Sequence, residues 1–248
     1  MAYTIAIAGK GGTGKSTIAG IIIRLIKEKK LGSVLGIDAD PNSNLAEFLG
    51  EKTDQTIGTV LDGLAGHPDS IPSGMTKDRY LEYQVQTIVR ECEGFDLLTM
   101  GRPEGPGCYC YVNNVLRNVM AKFTKNYDYV VIDNEAGLEH FSRKTTGQAD
   151  VLLVVSDATV AGLRAAKRIR ELIGELKIKT NKKFLIINDY EKKIEKERLD
   201  PVGLDLIGQL PKDEQVSGLS SKGESLFKLK KNSSFYESLD QIIDNIID

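Results

Sequence analysis

An apolar run, Tyr3-Thr4-Ile5-Ala6-Ile7-Ala8, leads straight into Gly9-Lys10-Gly11-Gly12-Thr13-Gly14-Lys15-Ser16-Thr17, and a helical pattern follows from Ile18 to Lys29. Strand, glycine-rich turn and helix in that order admit few folds. Glycines at 9, 11, 12 and 14 let the backbone turn tightly and aim several N–H groups at one anion. The helix starting near Lys15 adds its positive dipole end. The pattern implies a phosphate-binding loop running from Gly11, Gly12, Thr13 and Gly14 to Thr17, in which Lys15 reaches β- and γ-phosphates and the Ser16 hydroxyl ligates Mg²⁺. The plain alternative is a glycine turn without a ligand, and the flanking strand and helix count against it.

The rest of the chain alternates in the same way. Short apolar runs at Val34 to Ile37, Phe95 to Met100, Tyr129 to Ile132, Val151 to Val155, Phe184 to Ile187 and Leu206 to Leu210 read as buried strands. Helical spacing marks Ser16 to Lys29, where Ile18, Ile21, Ile22, Leu25 and Ile26 share a face. It recurs at Leu45 to Leu49, Thr56 to Leu64, Tyr80 to Cys92, Tyr111 to Phe123, Thr159 to Leu176 and Phe235 to Ile247. Ala65 to Lys77 reads as a loop, and the charged stretch Glu191 to Arg198 as an exposed insertion. The expected fold is α/β, a doubly wound, mainly parallel sheet in one domain over residues 1–248.

Charge excludes several classes. Thirty-three Lys and Arg against 35 Asp and Glu give a net charge of -2, which supplies no general attraction to nucleic acid or to an anionic membrane. No apolar run approaches membrane-spanning length, and the N-terminus enters a strand directly, so a cytoplasmic protein without signal peptide is expected. Arg164, Lys167, Arg168 and Arg170 read as a solvated helix face balanced by Glu171 and Glu175. The closing helix sets Leu239, Ile242, Ile243 and Ile246 against an acidic side, which suits packing on the domain rather than membrane attachment.

Carboxylates stand where strands end beside the glycine loop. Asp38 and Asp40 leave the second strand at its carboxyl end, the edge where open parallel sheets bind ligands; as an alternative, Asp40 or Asn42 caps the next helix. Asp133 ends the run Tyr129 to Ile132, a position suited to holding Mg²⁺ through water, and Gly137 lets the following loop approach a terminal phosphate. Lys10 on its own reads as a solvated loop lysine. His67 and His140 read as surface side chains, and Cys92 as a small buried hydrophobe.

The second informative stretch is Gly101-Arg102-Pro103-Glu104-Gly105-Pro106-Gly107-Cys108-Tyr109-Cys110. Its glycines and prolines make a stiff loop, fit for positioning a ligand. Cys108 and Cys110 place two thiolates on one ion, half of a four-ligand shell, and a second copy across a two-fold axis would complete it. Buried loop thiols and a redox pair are the alternatives.

Lys10 ahead of Gly11-Gly12-Thr13-Gly14-Lys15-Ser16-Thr17 is similar to the variant phosphate loop shared by the nitrogenase iron protein, the cell-division and plasmid-partition ATPases, and nickel-insertion ATPases. With the Cys-x-Cys and Ile132-Asp133-Asn134-Glu135-Ala136-Gly137, the chain resembles the nickel-inserting maturation ATPases of carbon monoxide dehydrogenase and acetyl-CoA synthase. The resemblance implies a homodimer that hydrolyses ATP to ADP. In it Lys10 crosses to the partner's nucleotide, Asp40 positions the attacking water, Asp38 stands in the outer Mg²⁺ shell, and Asn188, Pro211 and Asp213 surround the adenine. It further implies Ni²⁺, with Zn²⁺ possible, at Cys108 and Cys110 shared across the dimer, and a client nickel metalloenzyme. The nitrogenase iron protein needs a second cluster cysteine after the Asp133 motif, and none stands there. An iron–sulfur electron donor and a non-catalytic metal store remain the rival readings.

Overall fold

A computed structural model describes residues 2–40, 44–66, 71–101, 110–136, 148–192 and 194–247, with the backbone alone at 65, 110–115 and 196. Among them run β1 (Tyr3–Gly9), β2 (Val34–Asp38), β3 (Arg90–Cys92), β4 (Phe95–Thr99), β5 (Tyr129–Ala136), β6 (Gln148–Ser156), β7 (Lys179–Tyr190) and β8 (Asp205–Pro211). They form one eight-stranded sheet in the order β3-β4-β2-β5-β1-β6-β7-β8. Every neighbouring pair is parallel except β3 and β4. Strands covered on both faces need continuous apolar runs, and Ile5 to Ala8 and Val151 to Val154 are fully buried.

The helices are α1 (Lys15–Lys29), α2 (Asn44–Leu49), α3 (Ile57–Gly66), α4 (Lys77–Ile88), α5 (Cys110–Phe123), α6 (Val160–Glu175), α7 (Lys196–Leu199), α8 (Glu214–Ser221) and α9 (Ser234–Ile247). One face of the sheet packs on α1, α2 and α9 through residues such as Ile22, Leu45 and Ile243. The other packs on α3, α4, α5 and α6 through Leu61, Val85, Leu116 and Ile169. This is the doubly wound arrangement expected. Because β5 lies between β2 and β1, the carboxyl ends of three strands distant in sequence meet beside the loop that follows β1.

Helix α1 is more enclosed than one apolar face implies. Ala19 and Ile23 are buried along with Ile18, Ile21, Ile22, Leu25 and Ile26, because α2, α9 and the turn at Leu226–Lys228 pack around its far side. Arg24 is carried into that interior at 4% exposure. Its guanidinium donates to the carbonyls of Leu226 (2.9 Å) and Leu229 (2.7 Å), pairs with Glu28 at 2.7 Å and lies 4.9 Å from the centre of the Tyr236 ring. The Tyr236 hydroxyl and the Lys231 ammonium both donate to Glu28, each at 2.8 Å. The apolar side of α9, with Leu239, Ile242, Ile243 and Ile246, is buried on the sheet as expected.

Four local expectations are corrected. The helix read to Cys92 ends at Ile88, since Val89 takes an extended conformation and 90–92 fold back as an antiparallel edge strand on β4. Cys92 is therefore half-buried on β3 rather than inside a helix, and burial pushes its thiol up to about 11. The loop read from Ala65 to Lys77 is shorter, because α3 runs to Gly66 and the Thr76 hydroxyl caps α4 by accepting from the Arg79 amide. The stretch Glu191 to Arg198 is not wholly exposed: Ile194 is buried, and α7, which begins in it, buries Leu199 in the core. On α6 the basic face is partly neutralised as expected, Arg168 reaching Glu175 at 2.7 Å and Glu171 at 3.5 Å. No helix among the described residues is long and apolar enough to cross a membrane.

Candidate nucleotide-binding site

The loop between β1 and α1 is closed on its own backbone. The Lys10 carbonyl accepts from the Thr13 amide (3.3 Å), the Thr13 hydroxyl (2.8 Å) and the Lys15 ammonium (3.4 Å). Thr13 and Thr17 are buried, Ser16 is half-buried, and Gly11 and Gly12 are exposed with open space where a Cβ would stand. The outer side of the loop is thus an unobstructed cradle, and helix α1 points its first N–H groups toward it. Lys15 is buried at 6% exposure within this loop, whereas the Lys10 side chain is exposed.

Gly14 takes φ +86°, a left-handed conformation that only glycine adopts without cost. A Cβ there would also stand 2.3 Å from Nδ2 of Asn188. That amide nitrogen donates to the Thr13 carbonyl at 2.9 Å, so Asn188 on β7 is seated directly on the glycine loop. Pro211 pairs with Tyr190 one strand further out. Asp213 just beyond it is committed locally: one oxygen caps α8 by accepting from the Gln215 and Val216 amides, and the other accepts from the Ser233 hydroxyl at 2.7 Å. Asn188 and Pro211 therefore border the same carboxyl edge, and Asp213 shapes the turn there with its side chain already engaged.

On the other side of the loop stand Asp38 and Asp133, both wholly buried and paired in register across β2 and β5. Asp38 accepts from the Asp40 amide (3.1 Å) and the Leu45 amide (2.9 Å). Burial raises its pKa to about 7, and the neighbouring Asp133 charge adds to the rise against those two amides. Neither oxygen of Asp133 has a well-formed hydrogen bond among the described residues. Burial raises Asp133 to about 6, and the nearby Ser16 hydroxyl and Lys15 ammonium pull part of that rise back. A buried carboxylate is costly unless cationic or donor groups share its site, and Asp133, with the nearby Ser16 hydroxyl and Lys15 ammonium, fits a hydrated Mg²⁺. Asp40 is half-buried at the end of β2.

Three expected positions lie outside the described residues: Cys108, Gly137 and His140, as do Asn42 and His67. Cys110 opens α5, one residue earlier than the helix was read, and only its backbone is described. Among the described residues no three His, Cys, Asp or Glu side chains gather to hold a metal ion. Asn134 enters the sequence reading only as a member of the Asp133 motif, with no role of its own. It is buried at 1% exposure and donates from Nδ2 to the Ile7 carbonyl at 2.9 Å, tying β5 to β1 beneath the loop. A lone amide closing the apolar run Val130-Val131-Ile132-Asp133-Asn134 was the available signal.

A glycine cradle at a helix start, a buried lysine and a buried carboxylate on the neighbouring strand define a P-loop nucleotide-binding protein. The chain matches the CobQ/CobB/MinD/ParA nucleotide binding domain over residues 4–227, and it belongs to that family of ATP-binding ATPases. An uncharacterized ATP-binding protein of Methanocaldococcus jannaschii is 43% identical over 98% of each chain. The carbon monoxide dehydrogenase accessory protein CooC of Rhodospirillum rubrum is 32% identical over 91% of this chain and 89% of its own. Among solved structures, the cell division ATPase MinD of Pyrococcus furiosus superposes with a TM-score of 0.74 at 18% identity, covering 100% of this chain and 99% of that one. The septum site-determining protein MinD of Pyrococcus horikoshii, complexed with Mg-ADP, gives 0.73 at 18% identity over 99% and 96%. These structures share the fold.

Proposed function

We propose that this ATPase works as a nucleotide-gated homodimer that carries Ni²⁺ to the metal cluster of carbon monoxide dehydrogenase or acetyl-CoA synthase, with Zn²⁺ as a second ion its thiolates accept. The observation that carries this reading is the Cys108-Tyr109-Cys110 pair in a chain 32% identical to a carbon monoxide dehydrogenase accessory protein. Two thiolates per chain fill half of a tetrahedral or square-planar shell, and a symmetric partner provides the rest.

In this reading the loop amides from Gly11 to Gly14 and the Lys15 ammonium hold the phosphates, with Thr17 following Ser16 into α1. Ser16 would hold Mg²⁺, with Asp38 and Asp133 holding it through water, and the bound ion would supply charge neutralisation of the phosphates. Asp40 positions the attacking water. Asn188, with the turn at Pro211 and Asp213, borders the adenine. Lys10 supplies positive charge to the nucleotide of the partner subunit, so hydrolysis is linked to the closed dimer and the closed dimer to the assembled thiolate site. The net charge of -2 adds no general attraction to nucleic acid or membrane, and the client is a protein.

Elemental analysis after anaerobic nickel titration tests the reading. One nickel per dimer is expected, with thiolate charge-transfer absorption and proton release as the cysteines deprotonate. Symmetry repeats any substitution, so Cys108→Ser or Cys110→Ser removes two ligands from the site and affinity collapses rather than halves. One nickel per chain, or undiminished affinity when both cysteines are serine, overturns the proposal.

A further inference from the structure

A row of polar side chains crosses three neighbouring strands at the carboxyl edge of the sheet. Thr99 on β4 is in register with Asp38 on β2, and Asp38 with Asp133 on β5. Parallel neighbours in register place their side chains on the same face, about 4.8 Å apart. Phe95 and Leu97, which share the side of Thr99, and Val131, which shares that of Asp133, belong to the core beneath α1 and α9. The row therefore faces the helix that follows the glycine loop.

Thr99 is 1% exposed, and its hydroxyl makes no hydrogen bond among the described residues. A hydroxyl buried in this way is destabilising, and a valine would fill the same volume without that cost. The hydroxyl is thus a liability in this state and has to be repaid in another. Its nearest ionisable neighbour by register has capacity to spare: Asp38 takes one amide on each oxygen, from Asp40 and from Leu45, and each oxygen keeps a second lone pair. The backbones are already fixed together, since the Met100 amide donates to the Asp38 carbonyl at 2.8 Å. Register thus places the Thr99 hydroxyl on the same face as the Asp38 carboxylate, one strand away.

We infer that Thr99 is a positioning residue of the nucleotide site, its hydroxyl donating to the Asp38 carboxylate and holding it in the pose that orders the water shell of Mg²⁺. The inference rests on the role given to Asp38 above. It assigns a part in the site to β4, a strand separated from β1 in the sheet by β2 and β5.

The test compares wild type, Thr99→Val, Thr99→Ser and Asp38→Asn by Mg²⁺ titration in the presence of a fluorescent, non-hydrolysable ATP analogue, and by thermal unfolding without nucleotide. Losing an outer-shell group weakens a metal by roughly tenfold or more, and Thr99 acts one hydrogen bond beyond Asp38, so Asp38→Asn is expected to move the Mg²⁺ midpoint up by about that factor and Thr99→Val to move it in the same direction by less. Analogue binding without Mg²⁺ is expected to stay within about twofold, and the nucleotide-free melting temperature to hold or rise, because the orphaned hydroxyl is gone. Thr99→Ser, which keeps the hydroxyl, restores the midpoint. A midpoint unchanged in Thr99→Val while Asp38→Asn shifts it overturns the role of Thr99 alone; a midpoint unchanged in both overturns the role of Asp38 with it. Equal weakening in Thr99→Val and Thr99→Ser also refutes the inference, since Thr99→Ser keeps the hydroxyl to which the effect is assigned.

Discussion

The contact between Asn188 and the glycine loop makes a quantitative prediction. Replacing Gly14 by alanine places a Cβ at φ +86° and 2.3 Å from Nδ2 of Asn188. The left-handed backbone alone costs about 1–2 kcal/mol for a residue with a Cβ. The clash is relieved when the Asn188 side chain swings away, which forfeits its 2.9 Å hydrogen bond to the Thr13 carbonyl, worth about 1 kcal/mol. Gly14→Ala is therefore expected to cost about 2–3 kcal/mol, and Asn188→Ala about 1 kcal/mol by losing the same bond. The double variant loses that bond once, so it falls short of the sum by about 1 kcal/mol. Denaturant unfolding of the four nucleotide-free proteins measures this directly, and in thermal unfolding each kcal/mol corresponds to about 2–4 °C for a chain of this size. Asn188→Asp is the internal control: it keeps the bulk but turns an acceptor toward the Thr13 carbonyl, and is expected to be worse than Asn188→Ala. Additivity of the two alanine changes within about 0.3 kcal/mol refutes the claim that Asn188 and the glycine loop form one unit.

Lys15→Ala is expected to abolish nucleotide binding in calorimetry, whereas Lys10→Ala, whose side chain is exposed, keeps binding and loses only the nucleotide-dependent dimer and its turnover; equal loss of affinity in both contradicts the division. Burial pushes Glu28 up, but hydrogen bonds from Lys231, Arg24 and Tyr236 bring its pKa down to about 2. A depressed carboxylate contributes stability that is present above its unfolded value near ~4.3 and is lost as pH falls toward the folded one, so Glu28→Gln should flatten the wild-type stability loss between about pH 4 and 2. Arg24→Leu, which strands two buried carbonyls and that carboxylate, is expected to cost about 3 kcal/mol at neutral pH in denaturant unfolding.

The parts of this molecule that were legible in its sequence are those where local pattern and tertiary environment agree. The strands buried on both faces show as unbroken apolar runs, and the glycine loop shows because its geometry requires particular residues at fixed spacing. Where the two disagree, the reading failed for identifiable reasons. Leu81, Val85, Ile88 and Cys92 keep helical spacing although the backbone turns extended at Val89, and the contrary signal was the turn at Glu93-Gly94, where Gly94 takes φ +81° to close a hairpin between Cys92 and Phe95. Helix α8 buries none of its residues, so it has no apolar stripe to read; its mark was the cap at Asp213, a residue whose side chain is spent on that cap.

What no local pattern contains is the order of the strands. Asp38 and Asp133 belong to runs far apart in the chain, and each alone reads as an acid at a strand end. They become one site because β5 inserts between β2 and β1, which sets two buried carboxylates side by side and one of them against Lys15 and Ser16. The same insertion makes β4, outside β2, the next wall of the site, so that an ordinary-looking Thr99 faces Asp38. A threonine in a strand is unremarkable by propensity. Its meaning comes from its register, and register is fixed by which strand the fold places beside it. The chemistry of the loop was thus open to inspection residue by residue, while the residues that support it from neighbouring strands emerge only from the topology.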